Sequence, residues 1–189
     1  MNALVQLFKK FGNIPPEVEK VLTDKSGYLI KDKGDFFLKQ GQTVSSLFVM
    51  EKGAVRAYFI KDGKEVNSWF GFEHEFLGSI LPLFANQPSF ENIQFLEPSI
   101  LYYIPIKDLN KLYREYPEMN DIGRKIAEDY CRILEERIIS LQTESAEQRY
   151  HTLLKSNRNE LQRISLGQIA SYLGVTQETL SRIRKNSRF

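Results

Sequence analysis

The sequence predicts an α+β chain: an antiparallel β-roll, one long helix, then a helix-turn-helix. Three observations predict it. Between Tyr28 and Ile104, short runs rich in aromatic and β-branched residues are separated by glycines. From Met119 to Glu144, apolar residues recur at steps of three and four. Residues 166–185 then read as two short helices around a Gly-Val-Thr turn. The 189 residues, 42% hydrophobic and 26% charged, suit a folded protein with one large domain and one small one. The expected division is residues 1–116 for N-terminal helices and roll, 117–144 for the long helix and 145–189 for the helix-turn-helix.

The first elements are helical pieces at residues 2–11 and from Pro15 to Leu22, the second started by its prolines. Strands are then expected at Tyr28–Ile30, Phe36–Leu38, Ser46–Met50, Val55–Phe59, Val66–Phe70, Ile93–Leu96 and Ile100–Ile104. Gly34, Gly41, Gly53, Gly63 and Gly78 punctuate them, and Lys61-Asp62-Gly63-Lys64 is a hairpin signal. No helix-length pattern lies between these strands, which disfavours a parallel βαβ sheet. A short helix from Asp108 to Tyr113 stops near Pro117. The long helix follows, with Ile122, Ile126, Tyr130, Ile133, Leu134, Ile138 and Leu141 on one stripe. At about 38 Å for 25 residues, it overhangs so small a roll. The stripe therefore predicts contact with the roll and with the same helix of a second subunit, making a homodimer.

Composition removes several functions. No apolar run reaches the roughly 18 residues needed to span a bilayer. Lys9 and Lys10 follow the first apolar stretch, and no Ala-x-Ala-like cleavage site appears, so a cytoplasmic chain is expected. A single cysteine, Cys131, and two histidines, His74 and His151, exclude a disulfide framework and a multi-cysteine or histidine-rich metal centre. The lone cysteine reads as a small hydrophobe, with a redox sensor as the alternative. A metal-dependent roll enzyme needs clustered ligands, and only His74, between Glu73 and Glu75, lies in the roll, where it reads as a turn residue. No nucleophile elbow, Walker loop or dinucleotide fingerprint is present, so no catalytic residue and no cofactor are assigned. The charge is divided: residues 144–189 hold eight basic residues against four acids, while the remainder holds 18 against 20. A basic tail on a near-neutral body predicts an anionic partner.

The tail supplies the means of binding one. Ser165 and Gln168 form a capping-box pattern; Ile169, Ala170 and Leu173 make a buried face; Gly174 allows the turn, Val175 plugs it, and Thr176 caps the second helix. Leu180 and Ile183 hold that helix down. Gln177, Glu178, Thr179, Ser181, Arg182, Arg184 and Lys185 are left outside, where they can reach base edges or phosphates, and Thr176 joins them at the helix start. An ordinary helical hairpin explains the apolar spacing but not the capped glycine turn together with a basic outer face.

The run Gly174-Val175-Thr176-Gln177-Glu178-Thr179-Leu180-Ser181-Arg182-Ile183 resembles the recognition helix of the Crp/Fnr family of transcription regulators. The glycine-punctuated stretches Lys39–Gln42, Glu51–Arg56 and Lys61–Val66 resemble that family's cyclic-nucleotide-binding-like roll, and together the likeness covers about residues 20–185. The resemblance implies a dimer made by the long helix, double-stranded DNA and RNA polymerase as partners, and base contacts from Gln177, Glu178 and Arg182. It further implies an effector pocket near Trp69, Phe76, Gly78, Ser79, Phe90 and Glu91.

Two departures stand out. Cyclic-nucleotide-binding members grip the ribose with a Gly-Glu pair and the phosphate with a downstream arginine, yet residues 65–106 contain no Lys or Arg, and do contain Glu65, Glu73, Glu75, Glu91 and Glu97. A carboxylate about 4 Å from a phosphate charge repels it by roughly 4 kcal/mol at an effective dielectric of 20. Cyclic AMP is therefore disfavoured as effector. The chain also ends four residues after Lys185, which leaves no room for the family's β-hairpin wing. The rival reading is a small-molecule-sensing or scaffolding roll whose C-terminal helices bind protein rather than DNA.

Overall fold

The computed structural model describes residues 2–157 and 159–186; of the basic tail, Arg158 and Arg188 lie outside the described residues. Among the described residues, eight strands form two four-stranded antiparallel sheets. In chain order they are β1 (Gly27–Lys31), β2 (Phe36–Leu38), β3 (Ser46–Lys52), β4 (Val55–Lys61), β5 (Lys64–Gly71), β6 (Phe76–Leu77), β7 (Asn92–Phe95) and β8 (Ser99–Pro105). One sheet runs β1-β8-β3-β6 and the other β2-β7-β4-β5. Alternation along each strand decides what faces inward. In β3, Phe48 and Met50 point into the roll, whereas Leu47 and Val49 point out of it. Leu38, Met50, Val55, Ala57, Leu77, Ile93, Phe95 and Leu101 fill the space between the sheets.

Helices cover the outward apolar face of the first sheet. α1 (Ala3–Phe11) is capped by Asn2, whose side chain accepts from the Leu4 amide at 2.9 Å. α2 (Pro16–Lys25) starts on its proline. Leu4, Phe8, Val18 and Leu22 from this pair bury Leu47, Val49 and Ile104 together with Leu109 and Leu112 of α4 (Ile106–Glu115). A five-residue helix, α3 (Ile80–Phe84), follows β6. The long helix, α5 (Pro117–Thr143), has 27 residues and so extends about 40 Å. Its first turns belong to the chain's own core: Met119 and Ile122 are buried and Ile126 half-buried. From there the apolar stripe runs on uncovered through Tyr130, Ile133, Leu134, Ile138 and Leu141.

Past α5 come α6 (Ala146–Asn157), a short 3-10 turn (Glu160–Arg163), α7 (Leu166–Leu173) and α8 (Gln177–Asn186). They build a separate cluster from Tyr150, Leu161, Ile164, Ile169, Leu173 and Leu180, and two roll residues, Ala54 and Phe72, complete it. The roll thus supplies part of the C-terminal core. Gly53 makes the turn into Ala54 with φ +118°, and a Cβ there would lie 2.1 Å from the Ser99 hydroxyl and 2.9 Å from its backbone, so glycine is required at this position.

The structure adds elements to the expected order. α6, β6 and α3 were not foreseen, and α4 extends beyond the expected Asp108–Tyr113 at both ends. A two-residue strand and a five-residue helix carry too little periodicity to read. Ile122 was expected on the seam between subunits; its burial against Gly12 and α4 moves the open stripe toward the C-terminal half of α5.

Candidate nucleic-acid interface

Local chemistry sets the helix-turn-helix. The Ser165 hydroxyl accepts from the Gln168 amide at 3.3 Å while the Gln168 side chain accepts from the Ser165 amide at 3.1 Å, closing the capping box. Gly174 ends α7 in the left-handed region, φ 70°, and the Val175 amide donates back to the Ala170 carbonyl at 3.0 Å. The Thr176 hydroxyl then accepts from the Thr179 amide at 3.2 Å and starts α8. Ala170, only 2% exposed, lets the helices cross closely, and Leu180 is fully buried beneath α8.

This burial leaves the other face of α8 free. Thr176, Gln177, Glu178, Ser181, Arg182, Arg184 and Lys185 are exposed, and Thr179 is half-buried with its hydroxyl against that of Thr176. All eight residues expected to touch DNA thus share one short helix and its cap. The N-terminal turn of α8 holds the Glu178 carboxyl below the usual glutamate range, through its own backbone amide and the Thr176 hydroxyl. That carboxylate accepts hydrogen bonds only, which suits a cytosine amino group at a base edge.

Other basic residues of the tail turn inward. Arg149 donates to the Glu144 carbonyl at 2.5 Å and to the Leu173 carbonyl at 2.9 Å, joining the ends of α5 and α7. Arg163 forks onto Glu73 at 2.8 and 2.7 Å and also reaches Glu97 at 3.0 Å. Glu73, between β5 and β6, further accepts from the Gly53 amide at 2.8 Å. Arg137 of α5 stacks on the Tyr172 ring at 4.1 Å, donates to the Tyr172 hydroxyl and donates to the Ser68 carbonyl at 3.1 Å. The Arg163 and Arg137 contacts bind the C-terminal helices to the roll, and the charge pattern of the sequence does not announce them. The one trace in the sequence is a cation, Arg137, set within an apolar stripe.

The expected effector pocket does not assemble. Trp69 and Glu91 do meet: the indole N–H and the Ser68 hydroxyl donate to the Glu91 carboxylate at 3.0 and 2.7 Å. Phe76 instead turns outward, edge-on to Phe8 at 6.0 Å. Phe90 is exposed against Phe59, while Gly78 and Ser79 lead into α3. An open depression of about 600 Å³ between β2 and β3 is lined by Phe37, Gln42, Val44 and Phe48, and none of the six expected residues lines it. Three cations outside residues 65–106 already have partners. Arg56 lies on the outer face of its sheet, bonded to Glu65 at 2.6 Å and Gln94 at 2.8 Å. Arg124 pairs with Asp121 and Glu128, and Lys125 with Asp121 at 2.6 Å. His74 sits exposed in a turn at φ 64°, its amide donating to the Met50 carbonyl at 2.8 Å. Cys131 is exposed on α5.

Residues 31–116 match the family described as the cyclic nucleotide-binding domain. The chain is 26% identical over 163 residues to the fumarate and nitrate reduction regulatory protein of Escherichia coli, a match covering 80% of this chain and 64% of that protein's length. Among solved structures it is similar to FixK2 from Bradyrhizobium japonicum, with TM-score 0.72 and 18% identity over 85% of this chain and 83% of the other. It is also similar to the catabolite activator protein of Thermus thermophilus, with TM-score 0.60 and 22% identity over 95% and 85%. No helix among the described residues is long and apolar enough to cross a membrane.

The Arg163 fork, with the Gly53 amide, holds the Glu73 carboxyl at about 2, against 4.5 for a free glutamate. A carboxyl whose folded value lies below its unfolded one adds stability above the unfolded value and loses it as pH falls toward the folded one. Glu73→Gln should therefore destabilise the chain by about 1–3 kcal/mol at pH 7. It should also flatten the decline of stability between pH 4.5 and about 2, read by urea unfolding at stepped pH. Identical acid limbs in the two proteins would remove this pair from the stability account.

Proposed function

We propose that the chain is a member of the Crp/Fnr family: a cytoplasmic, homodimeric, sequence-specific DNA-binding regulator of transcription that does not answer to cyclic AMP and is not an enzyme. One observation carries the reading: α8 buries Leu180 and turns Arg182, Arg184 and Lys185 to solvent, the only cations of α7 and α8 among the described residues. A helix of this kind fits the major groove, which is wide enough to admit it. α5 supports the dimer. Tyr130, Ile133, Leu134, Ile138 and Leu141 are 40–55% exposed, a continuous apolar stripe that a second α5 would cover. Burying them contributes roughly 1.5–3 kcal/mol for each fully covered side chain. A twofold pair of α8 helices then meets two half-sites about one helical turn apart, roughly 34 Å.

Arg182→Ala should cost about 1–3 kcal/mol of affinity and relax the preference at one position of each half-site, whereas Lys185→Ala should weaken all sequences alike. Selection from randomised duplexes followed by titration reads both. An unchanged preference in the Arg182 variant removes that residue from base reading. If the wild-type protein shows no salt-dependent retention on duplex DNA, the scaffolding reading takes over.

Ile133→Asp and Ile138→Asp, both at exposed positions, should give folded monomers in sedimentation. Dimers in both variants would put the seam elsewhere.

Calorimetry with cyclic AMP and cyclic GMP up to millimolar concentration should show no saturable heat and no rise in melting temperature. The support is the absence of basic residues from 65–106 and the pairing of Arg56, Arg124 and Lys125 with carboxylates. Binding tighter than about 10 μM would overturn it.

A further inference from the structure

The C-terminal helices are held on the roll at three places, none of them on the outward face of α8. Ser171 of α7 accepts from the Asn67 amide at 3.0 Å and donates to the Glu65 carbonyl at 3.1 Å, so one side chain satisfies both kinds of backbone group on the outer edge of β5. Arg137 ties α5 to both partners at once, with its guanidinium on Tyr172 and its other amino group on the Ser68 carbonyl; the Tyr172 ring also packs on Phe70 of β5 at 5.4 Å. Arg163 closes the far end by its fork on Glu73, with Glu97 beside it. Three separate anchors, reaching the roll from α7, from α5 and from the 3-10 turn, restrain rotation as well as position, and a bidentate guanidinium-carboxylate pair fixes angle better than a point charge does.

In a dimer joined through α5, the orientation of α8 relative to α5 determines the vector between the two recognition helices. Each base pair added between half-sites moves the second one about 3.4 Å along the duplex and turns it by roughly 34°. We propose that Arg137 and Arg163, with Glu73 and Glu97, are positioning residues that set the half-site spacing the dimer accepts, without touching DNA. The proposal rests on the DNA-binding, dimeric reading given above.

The test uses a half-site selected from randomised duplex by the wild-type chain, then a panel of duplexes with two copies at spacings stepped by one base pair, and a duplex with one copy only. The wild type should favour one spacing over its neighbours by about tenfold. Glu73→Gln with Glu97→Gln removes the Arg163 anchor and keeps every basic residue. That variant, like Arg137→Gln, should accept neighbouring spacings within about threefold of one another while binding the single half-site within about twofold of wild type. Arg163→Lys, which keeps the charge and loses the fork, should fall between, and it serves where the double variant melts too low to assay. Sharp spacing retained in all three variants overturns the proposal, and so does an equal loss on the single half-site, the mark of a merely structural role. Failure of the wild type to select any duplex overturns the DNA-binding reading instead, and the wild-type arm separates the two.

Discussion

Strand β5 ends its sheet, and an edge strand has a row of backbone N–H and C=O groups with no strand to pair them. Most of the architecture beyond the roll follows from how that edge is covered. Ser171 takes the Asn67 amide and the Glu65 carbonyl, Arg137 takes the Ser68 carbonyl, and between them α7 is pinned along β5. With α7 held there, Gly174 and Thr176 dictate where α8 starts, and burial of Leu180 dictates which face it turns out. The shared cluster of Ala54 and Phe72 with Ile164, Ile169 and Leu173 makes the same point in apolar contacts. The outward face of α8 is thus positioned by the body it rides on.

Charge follows the same division. The tail carries a net four positive charges, yet two of its arginines work inside: Arg149 on carbonyls at helix ends and Arg163 on roll carboxylates. What remains on α8 is Arg182, Arg184 and Lys185, a small footprint beside Gln177, Glu178 and Ser181. The acids of the roll serve structure too. Glu73 and Glu97 hold Arg163, Glu65 holds Arg56, and Glu91 gathers donors from Ser68 and Trp69. The interior of the roll is packed with side chains, and these four carboxylates are engaged by donors of the chain itself.

Patterns one element long were readable in the sequence. Glycine-punctuated alternation marked the longer strands of the roll, steps of three and four marked α5, and the capped glycine turn marked α7 and α8 with the residues on their faces. What failed to read was any feature that depends on two elements meeting. Trp69 and Phe76 are seven residues apart in the chain, but one points into the roll and the other out of it, so the expected pocket does not gather. Ile122 continues the stripe of α5 in sequence, but α1 and α4 already cover it. Arg137 and Arg163 gave only a count of charges; their partners, Tyr172 and Ser68 for one and Glu73 and Glu97 for the other, lie 35 to 90 residues away. α6 starts on the same kind of capping box as α7, the Ser145 hydroxyl accepting from the Gln148 amide at 3.2 Å and the Gln148 side chain accepting from the Ser145 amide at 2.8 Å, but its apolar face is weakly periodic, so the helix behind that start signal was hard to read.

The central claim is that α8 enters a major groove from a twofold dimer. Methylation protection at guanine N7 on a selected duplex tests it most directly, because N7 lies in the major groove. The account predicts two protected windows on one face of the duplex, about one helical turn apart and related by a dyad. No protection at guanine N7, or one window without a symmetric mate, would contradict it.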